Sequence, residues 1–260
     1  MFSNFNLKLN NDYSYFVTNY YSEGLRLFGE NKEKLEKSLE QYIGDDGSIA
    51  AQALLGDWFA QIPVDVFISH SHKDEKIAVS IAGWLYKEFK LTTFVDSCLW
   101  GYADDLLANI NDKYNVMERK DGTTTYFHQK ANYAASHVHM MLCTSLNKMI
   151  DNCESVFFLN TDNSIINAQY SDETKSPWIY LEICLANTIQ KHLPERYPIK
   201  HSETRFLFAH ENKELIIKYP LDLKDFTTLT KNDLLNWASE RKVKDEEHPL
   251  DILYSYVRGK

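Results

Sequence analysis

The stretch SPWIYLEICLANTIQ, Ser176 to Gln190, carries a single charged side chain, Glu182, among Tyr180, Leu181, Ile183, Cys184 and Leu185. A helix starting after Ser176 places Trp178 and Glu182 four residues apart, one turn above the other on one face. The start itself is well formed, because a serine oxygen accepts from an early free N–H and proline at the first helical position loses no hydrogen bond. An acid early in a helix is stabilised by the macrodipole, and that is one reading of Glu182. The other is chemical: a carboxylate set among apolar side chains, one turn from an indole, either holds its proton more tightly or calls for a cationic ligand.

Two further stretches are dense in reactive residue types. SHSHKDE offers Ser69, His70, Ser71, His72 and Asp74, and DSCLWGYADD offers Asp96, Ser97, Trp100, Gly101 and Tyr102. Ser71 or Asp74 also suits the cap of a following helix. His70 with His72, and His137 with His139, are i, i+2 pairs of the kind that can hold a metal, but no third ligand stands at a familiar spacing such as HExxH. No GxSxG nucleophile elbow occurs, and neither GxGxxG nor GxxxxGK[ST] is present to cradle a phosphate. A metal site is therefore not expected.

Positioning these groups requires strands that end where they begin. VDVFIS (Val64 to Ser69), TTFVD (Thr92 to Asp96), SVFFLN (Ser155 to Asn160) and TRFLFA (Thr204 to Ala209) have the length and branched or aromatic content of buried strands. Amphipathic helical patterns lie between them, near Asp74 to Phe89, Ala103 to Tyr114, Ser136 to Asn152 and Pro177 to His192. Such alternation predicts a parallel sheet with helices on both faces, whose ligands bind outside the carboxyl ends of the strands. Residues 1–62 read as helices only, an N-terminal helical extension ending at Pro63, and 63–260 as the main domain. That domain carries a polar insertion near 116–135, readable as a mobile loop or a small hairpin, and a C-terminal helical segment.

The composition bounds the function. The chain has 260 residues, 44% hydrophobic and 25% charged, and a formal net charge of −9, which leaves no broad basic field for a phosphate backbone. Nucleic acid is not expected as a partner. The opening MFSNFNLKLNNDY lacks a basic segment followed by an apolar core, and no apolar run approaches the ~20 residues that span a bilayer. A cytoplasmic protein without a membrane partner is expected, and the scattered cysteines, Cys98, Cys143, Cys153 and Cys184, fit reduced, packed thiols.

In order and spacing, VDVFISHSHKDE, FVDSCLWGYADDLL and SPWIYLEI resemble a Toll/interleukin-1 receptor (TIR) domain from about Pro63 to Ala209. The first matches the family's opening strand and loop, the second its second strand and BB loop, and the third its WxxxE element. The resemblance implies a flavodoxin-like fold. It also implies NAD+ cleavage, a glycohydrolase or ADP-ribosyl cyclase activity with Glu182 as catalytic carboxylate and Trp178 beside the nicotinamide ribose. Ser69, His70, Asp96, Trp100 and Tyr102 would border the substrate. NAD+ is then a substrate, with no cofactor required. The implied setting is anti-phage defence, with other TIR subunits as partners in a homo-oligomer and a separate effector protein sensing the product. The alternative is a non-enzymatic TIR adaptor acting through TIR–TIR assembly. This chain departs from the family pattern in lacking loop arginines after its first strand, where His70 and Lys73 stand, and in its insertion.

Overall fold

In a computed structural model of the chain, the described residues are 1–32, 39–45, 48–58, 63–95, 97–167, 172–194, 196 and 219–259. The chain opens with strand β1 (Ser3–Lys8), helix α1 (Ser14–Lys32) and α2 (Ala51–Trp58). There follow β2 (Val66–Ser69), α3 (Glu75–Phe89), β3 (Thr93–Val95), α4 (Ser97–Tyr114), β4 (Val116–Lys120), β5 (Thr123–Tyr126) and α5 (His128–Asn152). The last part contains β6 (Ser155–Asn160), β7 (Ile166–Asn167), β8 (Asp172–Thr174), α6 (Pro177–Thr188), β9 (Tyr219–Pro220), β10 (Thr227–Leu229), α7 (Lys231–Val243) and α8 (Pro249–Arg258). The expected strand at Thr204 to Ala209 lies outside the described residues.

These elements form two compact units, one of Met1–Phe28, Pro63–Asp96 and Met149–Lys260, the other of Gly29–Ile62 and Ser97–Lys148. The first is built on a five-stranded sheet in the order β10-β1-β6-β2-β3, every neighbouring pair parallel. Read from β3 and without β1, the other four strands follow the order 2-1-3-4, as a doubly wound sheet begins, and β1 is inserted between the third and the fourth of them. The alternating α/β reading of the sequence is thus met by a parallel sheet. The reading of residues 1–62 as helical only is not, because Ser3–Lys8 is a strand bonded on both sides, to β6 and to β10. A boundary does fall at Pro63, where the chain passes from the second unit to the first, but the first unit also takes in Met1–Phe28, so residues 1–62 are not one extension.

The reason lies in the pattern of β1. Inner strands of parallel sheets are normally continuous apolar runs, since both faces are covered. β2 and β6 follow that rule, buried at Val66, Phe67, Ile68 and Ser69 and at Ser155 through Leu159. β1 instead alternates, Asn4-Phe5-Asn6-Leu7, with all four residues buried. Asparagine is poor in strands by propensity, so the segment reads as irregular until its period of two is counted.

Helices cover both faces of the sheet. On one, Phe5 meets Phe157 at 5.2 Å and Phe157 meets Trp237 of α7 at 6.4 Å between ring centroids. Trp237 continues to Trp84 of α3 at 5.8 Å, and Trp84 to Phe16 of α1 at 5.4 Å. The indole N–H of Trp237 donates to the carbonyl of Pro249 at 2.9 Å, so this large ring is buried without leaving its polar atom unbonded. Helices α1 and α3 touch backbone to backbone: a Cβ on Gly24 would lie 2.0 Å from the Val79 carbonyl oxygen, and one on Gly83 2.3 Å from that of Tyr20. On the opposite face lies α6, held by the Asn4 side-chain amide donating to the Ala186 carbonyl at 3.0 Å.

In the second unit, residues 116–126 form an antiparallel hairpin, β4 with β5. Its turn is Asp121-Gly122, with φ of 50° and 77°. Two successive left-handed residues suit a tight hairpin turn, and Asp-Gly is a favoured pair there. α4 begins at Ser97, so Ser97, Trp100, Gly101 and Tyr102 are helical rather than part of a loop after β3. Glycine inside a helix costs ~1 kcal/mol relative to alanine, which the rest of this long helix offsets.

Candidate functional site

Glu182 sits in the second turn of α6, and the predicted start of that helix is present. The Ser176 side chain accepts from the N–H of Ile179 at 3.3 Å, with Pro177 in the first turn. Trp178, one turn earlier, is half-buried, and Glu182 is fully buried, 0% exposed, beside buried Ile179 and Ile183. Burying a carboxylate is costly unless its surroundings compensate for the lost water, so dipole stabilisation of a surface acid does not account for this residue.

The direction of α6 relative to the sheet fixes what the glutamate faces. The Met1 carbonyl accepts from the N–H of His192, and three residues later Asn4 bonds to Ala186, so the chain from α6 to His192 runs antiparallel to β1. Asn4 and Asn6 share a face of β1, ~6.6 Å apart. Ala186 and Glu182 share a face of α6, ~6 Å apart. Glu182 therefore comes opposite Asn6.

Register carries this row across the sheet. Asn6 pairs with Phe158 of β6, and Phe158 with Ser69 of β2. Paired residues of parallel strands point to the same face, so Ser69, Phe158 and Asn6 form one row on the face of the sheet that α6 covers at β1, with Ser69 ~10 Å from Asn6. Ser69 is 0% exposed and Asn6 3%. Ser69 Oγ and Asn6 Oδ1 are both buried without a hydrogen-bond partner among the described residues. Of the candidate residues, the structure thus brings Ser69 and Glu182 to one face and one level of the sheet. Asn6 joins them there, a residue the sequence reading missed; the N-F-N-L alternation was its signal.

His70 follows Ser69, 3% exposed, with its Nδ1 3.4 Å from the Ile68 carbonyl oxygen. Neither Ser71 nor Asp74 caps with its side chain. The buried Asp74 carboxylate is used otherwise: it accepts from the Thr161 hydroxyl at 2.5 Å and from the Asn163 amide at 2.7 Å. The segments leaving β2 and β6 are tied together by these bonds at the carboxyl end of the sheet. Burial and the nearby Asp74 charge both push the Tyr13 phenol above its ordinary value.

Asp96 lies outside the described residues, and Trp100 and Tyr102 belong to α4 of the second unit, their side chains also outside the described set. His137 and His139 lie on α5 in that same unit, both exposed, with His137 against Tyr133 at 4.4 Å. Among the described residues the cluster with metal-ligating spacing is Glu154, His248 and Asp251, and it contains neither histidine pair. Arg196 already forks onto both of its carboxylates, at 2.6 Å to Glu154 and 2.5 Å to Asp251. A guanidinium in that position competes directly with a cation.

A cleft of about 210 Å³ lies at the other end of the sheet, lined by Phe2, Asn4, Lys191, Thr227, Tyr254 and Arg258 among others. It is not where a parallel sheet ordinarily holds its ligand. Cys143, Cys153 and Cys184 are free thiols, and burial pushes that of Cys153 up to about 12. Among the described residues no helix is long and apolar enough to cross a membrane. No protein-family model, curated protein or solved structure matches this chain.

Proposed function

We propose that the chain is a TIR-type enzyme that cleaves NAD+ at the bond between nicotinamide and ribose, with Glu182 as the catalytic carboxylate. The observation that carries this reading is the wholly buried glutamate on α6, on the face of the sheet where Ser69 Oγ and Asn6 Oδ1 are buried without a hydrogen-bond partner among the described residues. An arrangement of that kind lowers stability and is expected where a fold serves chemistry.

The chemistry asks for few groups. Nicotinamide in NAD+ is a cationic pyridinium, so when the C–N bond breaks the electron pair returns to the ring nitrogen and the leaving group departs neutral. No general acid is needed. The positive charge passes to the ribose as an oxocarbenium-like centre, the kind of transition state that glycosidases also stabilise with carboxylates. A fixed carboxylate in a water-poor site stabilises it more strongly than one in bulk water. Water adding to the anomeric carbon, and losing a proton to solvent, gives ADP-ribose; an internal nucleophile gives a cyclic isomer. Trp178 packs beside the nicotinamide ribose, and Ser69 and His70 border the pocket. A role in anti-phage defence, with a product read by a separate effector, belongs to the same proposal.

One observation favours the second reading, a non-enzymatic adaptor that works through TIR–TIR assembly: Glu182 has no exposed surface in the single chain. Under the enzyme reading, assembly of neighbouring subunits opens α6 to substrate. Incubation with NAD+ across a protein concentration series, followed by chromatography and product mass, separates the two. The enzyme reading expects nicotinamide release that rises more steeply than protein concentration and is lost in Glu182→Gln. No release at any concentration, or equal release by the variant, leaves the adaptor.

A further inference from the structure

We infer that the cleft at the amino end of the central sheet binds a small zwitterion with an apolar side chain, an α-amino acid of the size of leucine or phenylalanine. This goes beyond the NAD+-cleaving reading and does not depend on it.

The cleft exists because the strands of the sheet start at different levels. β1 pairs with β6 from Ser3 onwards, while β10 joins only at Phe5, opposite Thr227. A place beside β1 is thereby left open, and Asn4 and Phe5, neighbours that point to opposite faces of the strand, both line it. Its volume, about 210 Å³, is below the ~300 Å³ at which pockets for drug-sized ligands begin, so its occupant is a small molecule.

Three kinds of group meet there. The inner wall is apolar: Phe5 and Tyr254, 1% and 3% exposed, stack at 6.2 Å between ring centroids. The Tyr254 hydroxyl is engaged with Ser155 and Glu154, at 2.8 Å each, so this residue offers the cleft its ring. Asn4, 2% exposed, adds a buried acceptor, because its Nδ2 donates to the Ala186 carbonyl while its Oδ1 has no hydrogen-bond partner among the described residues. The rim carries both signs of charge, Lys191 and Arg258 against Asp225, all three exposed. Among the described residues none of the three forms an ion pair, with one another or with any other group.

Opposite charges that line one cleft without closing onto each other are matched by a ligand that carries both. The carboxylate of an amino acid meets Lys191 and Arg258, its ammonium donates to Asp225 and to the Asn4 oxygen, and its side chain lies against the two rings. A buried amide oxygen without a donor costs stability, which an incoming N–H recovers. A simple anion would meet the repulsion of Asp225, and a simple cation that of Lys191 and Arg258.

Isothermal titration calorimetry on the full chain tests this with L-leucine and L-phenylalanine, beside isocaproate and isoamylamine, which keep the leucine side chain and lose one charge each. At least one of the amino acids is expected to bind at a single site per chain, with both analogues at least tenfold weaker. Arg258→Gln and Asp225→Asn, changes at exposed positions, are each expected to weaken binding at least fivefold with the melting midpoint as in wild type. The absence of saturable binding by either amino acid at millimolar concentration overturns the inference. So does an analogue that binds as well as the amino acid, which marks an apolar or single-charge cleft, or wild-type affinity in either variant. Nicotinamide release is not read in these titrations, so their failure and that of the NAD+-cleaving reading are distinct outcomes.

Discussion

The two faces of the central sheet share the same strands and do different work. Beneath α7 and α8, Phe5, Phe157, Trp237 and Tyr254 pack ring against ring, and the indole N–H of Trp237 reaches a carbonyl. On the other face, the same β1 and β2 present Asn6 and Ser69, whose side-chain oxygens have no hydrogen-bond partner among the described residues, and α6, docked on β1, carries a fully buried glutamate. Contacts on the first face lower the free energy of the fold. On the second, the bond from Asn4 to Ala186 docks α6, while the Ser69 and Asn6 oxygens are buried without a hydrogen-bond partner among the described residues, which costs stability. Adjacent residues of one six-residue strand divide these tasks, because side chains of a strand alternate between faces.

Substitutions on each face sharpen this contrast. The largest effect is expected for Trp237→Ala, which empties the centre of the aromatic face. Removing a buried indole costs ~3–5 kcal/mol, a fall in melting midpoint of roughly 10 °C for a domain of this size. Thermal melts by circular dichroism check it, and an unchanged midpoint would remove the assignment of that face as the stabilising one. Asp74→Ala should have a smaller effect, ~1–3 kcal/mol by denaturant titration, because it leaves the Thr161 hydroxyl and the Asn163 amide without their acceptor. Ser69→Ala should have the smallest, with the melting midpoint within about 2 °C of wild type, since the lost hydroxyl has no partner to leave behind. If Ser69 borders the substrate, the same variant slows nicotinamide release by about tenfold, equivalent to ~1.4 kcal/mol of barrier. A destabilised Ser69→Ala would show that this face, too, is built for stability.

The sequence made much of this architecture legible, with instructive exceptions. SVFFLN is a strand over Ser155–Asn160 as expected, and Ser176-Pro177 starts α6 as its residue types require, because local chemistry and tertiary setting agree there. The Asp-Gly pair resolved the insertion to a hairpin rather than a mobile loop. β1 was hidden because its buried asparagines serve a tertiary setting that no local rule anticipates. The loop expected around Trp100 is helical for the opposite reason: a strand-end position suggested a loop, while the long run to Tyr114 has enough helix formers to extend back to Ser97. Asp74 was read as a cap, yet its partners, Thr161 and Asn163, stand far along the chain and become neighbours only when β2 and β6 pair. Glu182 was legible as an anomaly from composition and register alone. Its neighbour Asn6 needed the strand order.

The central claim is that the face beneath α6 is kept for chemistry at the expense of stability, and Glu182→Gln tests it most directly. Glutamine keeps the volume of the side chain and removes its charge. Nicotinamide release from NAD+ and the thermal midpoint are measured on the same preparations of wild type and variant. The account predicts release falling at least 100-fold, equivalent to ~2.7 kcal/mol of barrier, with the midpoint held within about 3 °C of wild type or raised. A variant that melts far lower, or one that releases nicotinamide as fast as the wild type, would contradict it.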